Sequence, residues 1–305
     1  MNMNRNTVKK KSGFLAIGAY GGNQCVPFYK KGYSALFVNT ALQDLDSLTD
    51  VDDKYKYHIP GGEGCNKDRG KSKAIFKKDI DNIVNQIKEK MPGIEYLFIV
   101  GSAGGGTASG VLASMKRVAM NSLDLKACIL VTVLPNTKLE SVKTLINCYE
   151  TLAEIEELIS TPGMAIISKL GKDKSETQQL ISTFHNNIYA PMEEDKIIKY
   201  IGLINAGNGK EIQIEDIYEE VGVPLDCFTG FESDSTVCML AGLSLCYGKM
   251  AEIKEKIDAN RDTIKRNLVA QRQNRLTDSL GFFDEAVPVE KVKPKKKESN
   301  RDLLF

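Results

Sequence analysis

The stretch GSAGGGTASG at residues 101–110 follows the apolar run EYLFIVG and leads into VLASMKRVAM, where Val111, Leu112, Met115 and Val118 fall at helical spacing. A strand, a glycine turn and a helix start together make an anion cradle. Backbone N–H groups point outward, the helix end is positive, and no Cβ blocks close approach. Phosphate is the expected guest. A tight turn alone needs one or two glycines, whereas here Gly104, Gly105 and Gly106 stand in a row, followed by Thr107, Ala108, Ser109 and Gly110.

Two further glycine stretches follow strand-like runs. GAYGGNQ (18–24) carries Gly21 and Gly22, and PGGEGCNKDRG (60–70) carries Gly61, Gly62 and Gly64. In an open α/β sheet such loops converge at the carboxyl ends of the strands, where they can surround a polyphosphate. Neither common phosphate motif fits. In GCNKDRGKS, Gly64 and Gly70 are one residue too far apart for a P-loop. A dinucleotide fold wants GxGxxG after its first strand and an acid ending its second, and this chain has GAYGGNQ and Asn39.

The elements that must position these loops are legible as apolar runs at 14–18, 33–39, 95–101, 127–134 and 164–168. Runs apolar on both faces suit strands of a parallel sheet covered by helices. Between them, Phe76, Ile80, Ile83, Val84, Ile87 and Met91 share one face of a helix over 73–91, closed by Pro92 and Gly93. The fold class is therefore α/β, a doubly wound parallel sheet, taken to cover 13–185. A long helix is expected from about 176 to 205, with Pro191 as a kink or join, its central part at 186–206. A smaller α+β domain follows at 207–248, and residues 225–248 mix strand and helix patterns. Met250, Ile253, Ile257, Ile264 and Leu268 then predict an amphipathic helix over 249–281, before a basic, proline-bearing tail at 282–305 that is expected to be disordered when alone.

A net charge of +1 gives the whole chain no pull toward nucleic acid or membrane, so any electrostatic partner must be read locally. The tail, with Lys291, Lys293, Lys295, Lys296, Lys297 and Arg301, is that local segment. Seven cysteines without a CxxC pair, and two distant histidines, argue against a zinc site and for reduced thiols. No apolar run approaches the ~20 residues of a membrane span, and no signal peptide is read, so a cytoplasmic location is expected.

In order, GGNQ, FVNTALQDL (37–45), the glycine stretch at 60–70 and GGGTASG resemble the tubulin and FtsZ superfamily of GTPases, whose hallmark turn reads GGGTGSG or GGGTGTG. The resemblance covers residues 13–220 and is weaker beyond. Ala108 replaces the family's fourth glycine, which is tolerated if that residue already has helical φ and ψ. The short length and basic tail resemble the TubZ-type branch found on plasmids and phages. A long central helix and a smaller second domain are what the family implies for the fold.

The resemblance implies GTP and GDP as ligands, with Mg²⁺ held by nucleotide phosphates and not directly by protein. It implies that an acid after the central helix of one subunit acts on the nucleotide of the next, so that head-to-tail assembly completes the active site. Asp216 matches that acid, with Glu215 second and Glu211 third; without the family they would read as first-turn helix acids. Asn187, or Asn186 beside it, falls near the expected guanine reader, with Asn23 and its neighbour Gln24 as further candidates for the base. Glu140 is a candidate for the ribose hydroxyls or a first-turn acid.

The implied function is a filament-forming GTPase that segregates plasmid or phage DNA. Its partners would be other copies of itself and a DNA-bound centromere adaptor met by the basic tail, with DNA contacted indirectly and no membrane. A phage spindle protein, an FtsZ-like division protein and a nonpolymerising Rossmann-type enzyme are the alternatives.

Overall fold

A computed structural model of the chain describes residues 9–158, 164–169, 199–206, 212–233, 236–243 and 247–273. They fall into two compact units, one of residues 1–158 with 253–305 and the other of residues 159–252.

The first unit runs β1 (Ser12–Ile17), α1 (Gly18–Lys30), β2 (Ser34–Asn39), α2 (Leu42–Asp46), β3 (Lys56–His58), α3 (Arg69–Lys90), β4 (Tyr96–Ser102), α4 (Leu112–Ser122), β5 (Ala127–Val133) and α5 (Val142–Leu158). The five strands are parallel, in the order β3-β2-β1-β4-β5. Alternation along β1 explains why its whole length is apolar. Leu15 and Ile17 join a core with Phe76, Ile80, Ile83 and Ile87 of α3 and Met115 of α4, while Phe14 and Ala16 join a second core with Cys25 and Phe37. Each fully buried side chain of this kind contributes about 1.5–3 kcal/mol. The strand order reverses between β1 and β4, which puts a crevice outside the carboxyl ends of the strands.

The second unit holds β6 (Met164–Lys169), β7 (Tyr200–Ala206), α6 (Ile214–Val221), β8 (Asp226–Ser233) and β9 (Val237–Leu243); α7 (Tyr247–Gln273) crosses the division at residue 253. Its sheet is mixed, ordered β6-β9-β7-β8, with β7 parallel to β8 and antiparallel to β9. Ile217 and Val221 of α6 pack with Ile201, Leu203, Cys238 and Leu240.

Several expectations are corrected. The run at 164–168 does not extend the parallel sheet; it is β6, antiparallel to β9. An apolar run states that a strand is buried, but not which sheet buries it. The helix expected to reach residue 205 gives way to β7 from Tyr200. There Ile201 and Leu203 are buried while Tyr200 and Ile204 are exposed, a period of two that outweighs helix propensity. The rest of the stretch expected to be helical, 176–198, lies outside the described residues, as does the tail at 282–305. The N-terminal stretch of the first unit runs to residue 158, and the ambiguous residues 225–248 contain β8 and β9.

Candidate functional site

The carboxyl ends of β1, β2, β3 and β4 bring four chain segments together in the first unit. Gly106 lies so close to residues 60–70 that a Cβ on it would stand 2.7 Å from the Lys67 N and 3.1 Å from the Cys65 Cβ. Thr107 Oγ1 is 3.0 Å from Thr40 Oγ1 at the exit of β2. Gly18, where β1 turns into α1, has φ +74°, and a Cβ there would sit 3.4 Å from that of Thr107. Gly64 is tied in by its N–H to the Thr40 carbonyl at 2.8 Å, and Gly62 packs on Thr40 so tightly that a Cβ would meet its oxygen at 2.7 Å. Gly61, with φ +74°, faces open space.

Among the described residues, the backbone N–H groups of Gly105, Gly106, Thr107 and Ala108 have no acceptor within the protein. Four neighbouring donors left open are what an anion site requires. None of Gly104, Gly105 and Gly106 has positive φ, so space and not backbone strain explains them. A Cβ on Gly104 would strike Thr144 Cγ2 at 2.5 Å, and one on Gly106 would strike Lys67. Gly105 differs: a Cβ there meets nothing nearer than 3.7 Å, so no protein neighbour demands its glycine. Ala108 is not at positive φ, and its methyl covers Gly101, where a Cβ would come within 2.6 Å of it.

Polar side chains on the inner side fix the turn. Asn147 Nδ2 donates to the carbonyls of Gly105 and Lys67, both at 2.9 Å. Thr151 Oγ1 reaches the carbonyls of Ala103 and Ser109 at 3.0 Å. Ser72 Oγ donates to Thr107 O at 2.6 Å. The Arg69 guanidinium, buried, donates to Ser109 O from Nε and Nη2 and pairs with Glu150 at 2.7 Å and Glu154 at 2.6 Å. Asn39, also buried, accepts from Thr40 N at 2.8 Å and donates to Asp44. Sequence reasoning missed all of these. A signal existed in α5, where Thr144, Asn147 and Thr151 form a polar stripe on a buried helix face.

The structure adds three points. The cradle is a turn and not a helix N-terminus, because α4 begins only at Leu112 and Ala108 O already takes the N–H groups of Val111 and Leu112. The hydroxyls of Thr107 and Ser109 are engaged internally, Ser109 Oγ donating to Gly105 O at 2.5 Å. GAYGGNQ is not a loop but the start of α1, and Gly21 and Gly22 serve close packing. A Cβ on Gly21 would meet Val100 O at 2.3 Å, and one on Gly22 would meet Leu48 at 3.1 Å. The open N–H groups of that first turn, which has no side-chain cap, are what the segment can offer a phosphate.

Asn23 and Gln24 are exposed on α1, and Glu140 is exposed in the turn before α5, where Ser141 Oγ accepts from Thr144 N. Glu215 is exposed on α6 of the second unit. Asp216 lies in the same helix, but its side chain, together with Asn186, Asn187 and Glu211, lies outside the described residues. Asn205 staples the approach to α6, its amide exchanging two hydrogen bonds with the backbone of Ile212 at 2.9 and 3.0 Å. Among the described residues no cluster of His, Cys, Asp and Glu could hold a metal ion, and no helix is long and apolar enough to cross a membrane. Burial pushes the thiols of Cys25 and Cys128 up to about 12.

Comparisons with known proteins bear on the fold and the family. A tubulin-like protein TubZ from Clostridium botulinum C phage is 36% identical over 130 residues, which is 42% of this chain and 36% of that protein. The chain spans about a third of the length of the curated relatives it matches. The tail-truncated TubZ of Clostridium botulinum phage c-st has the same fold, with a TM-score of 0.72 at 22% identity over 84% of this chain and 99% of that one. A GTPγS-form protofilament of Bacillus thuringiensis serovar israelensis TubZ gives 0.65 at 12% identity over 84% and 94%. Residues 6–167, more than half the chain, match the tubulin/FtsZ family, GTPase domain, and the chain belongs to that family.

Proposed function

We propose that the chain binds GTP at the Gly104–Ala108 turn, polymerises head to tail, and hydrolyses the nucleotide with an acid lent by the adjacent subunit. The observation that carries this is the set of four open N–H groups around Gly105, a glycine that nothing inside the protein explains. Backbone donors already in place stabilise phosphate charge without reorganisation. Magnesium enters with the phosphates, held mainly by their oxygens and water.

The assembly step is supported by the division of labour between the two units. The cradle belongs to the first unit and the helix bearing Glu215 and Asp216 to the second, and a structurally similar TubZ forms protofilaments. On this basis the filament segregates plasmid or phage DNA through an adaptor that meets the basic tail.

The test is GTP turnover against protein concentration, with light scattering followed in parallel. Both signals are expected to rise from one shared threshold concentration. Turnover proportional to protein from the lowest concentration, without scattering, contradicts the proposal.

A further inference from the structure

We propose that Lys67 is a phosphate-contacting side chain of this site, a role that rests on the GTP-binding reading above and extends it from backbone to side chain. Asn66 and Lys67 hold φ of 47° and 59°, and among the described residues they are the only non-glycine residues at positive φ. Asparagine tolerates that conformation, but it is uncommon and strained for a lysine, and glycine would adopt it freely. The surroundings hold Lys67 there: Asn147 Nδ2 donates to its carbonyl, and the backbone of Gly106 lies against its own N. Strain kept at a position touching the cradle calls for a reason in the side chain.

The ammonium supplies one. Its Nζ donates to Thr144 Oγ1 at 2.7 Å and Ser141 Oγ at 3.2 Å, on the flank of the turn where Thr144 also abuts Gly104. Both partners are neutral hydroxyls, and among the described residues no carboxylate pairs with Lys67. Arg69 and Lys73, nearby on α3, differ. Arg69 is matched by Glu150 and Glu154, and Lys73 by Glu154. The loop thus presents an unmatched cation beside four unpaired N–H donors. A polyphosphate chain satisfies both, and a charge-assisted contact to it is stronger than the hydroxyl contacts it replaces.

The test uses the full chain with Lys67→Met and Lys67→Gly, a fluorescent GTP analogue in equilibrium titration with magnesium, and thermal unfolding. Both variants are expected to lower affinity by about tenfold or more. Lys67→Gly is expected to raise Tm at the same time, because it relieves the left-handed backbone, a combination that a structural lysine would not give. Variants that bind the analogue as tightly as the wild type overturn the role of Lys67 while leaving GTP binding intact. A wild type that binds no analogue refutes GTP binding itself.

Discussion

The turn at 101–110 and the segment at 205–217 are held in opposite ways. Asn147, Thr151, Ser72 and Arg69 converge on the carbonyls of the first, so that its N–H groups face outward with nothing to bond. The second is fixed by Asn205 at Ile212, and α6 begins at Ile214 after Gln213, which makes no side-chain cap. On the proposed function, one region is preorganised for a ligand within its own unit. The other carries Glu215, exposed on α6, and on the same proposal acts on a target brought to it. If the proposed function holds, the difference makes binding and hydrolysis separable, and substitutions can break that separation in order of effect.

The largest effect is expected from Asp216→Ala. GTP turnover should fall by about 100-fold or more, the usual worth of a positioned acid or base, while scattering with GTP still reports assembly. Normal turnover in this variant transfers the role to Glu215 or refutes the acid altogether.

Adjacent glycines give the next contrast. Gly106→Ala puts a Cβ 2.7 Å from the Lys67 backbone and should cost about 1–3 kcal/mol of stability in denaturant melts. Gly105→Ala has room and should leave stability unchanged, yet lower GTP affinity about tenfold by crowding the ligand. Equal effects from the two would mean that Gly105 too serves packing.

The smallest effect concerns pH. Burial raises the Cys25 thiol from 9.0 to about 12, so above pH 9 the unfolded chain releases a proton that the folded chain keeps. Stability contributed by the protonated thiol is full below pH 9 and is lost as pH rises toward 12. A Cys25→Ala variant should therefore lose stability less steeply over that window, measured against wild type by denaturant melts at fixed pH values.

How much was legible in the sequence follows from what each signal encodes. The strands of the first sheet and the Phe76 to Met91 face were readable because burial on both sides imposes unbroken apolar runs and helical spacing. The turn was readable because glycine clears space. Its supports were not, because Asn39, Arg69 and the Asn147–Thr151 stripe of α5 lie far from the turn in the chain and act only once folded against it. The strand at 200–206 was missed because an apolar run after a helical stretch reads as more helix until β8 and β9 provide its partners. Gly21 and Gly22 misled for the converse reason: glycine also clears space for a helix to press on Val100 and Leu48.

The most direct test of the central claim is a crystal structure of the full chain with a nonhydrolysable GTP analogue. Phosphate oxygens are expected about 2.7–3.1 Å from the backbone nitrogens of Gly105, Gly106 and Thr107. An analogue bound elsewhere, with that turn still empty, would contradict the account.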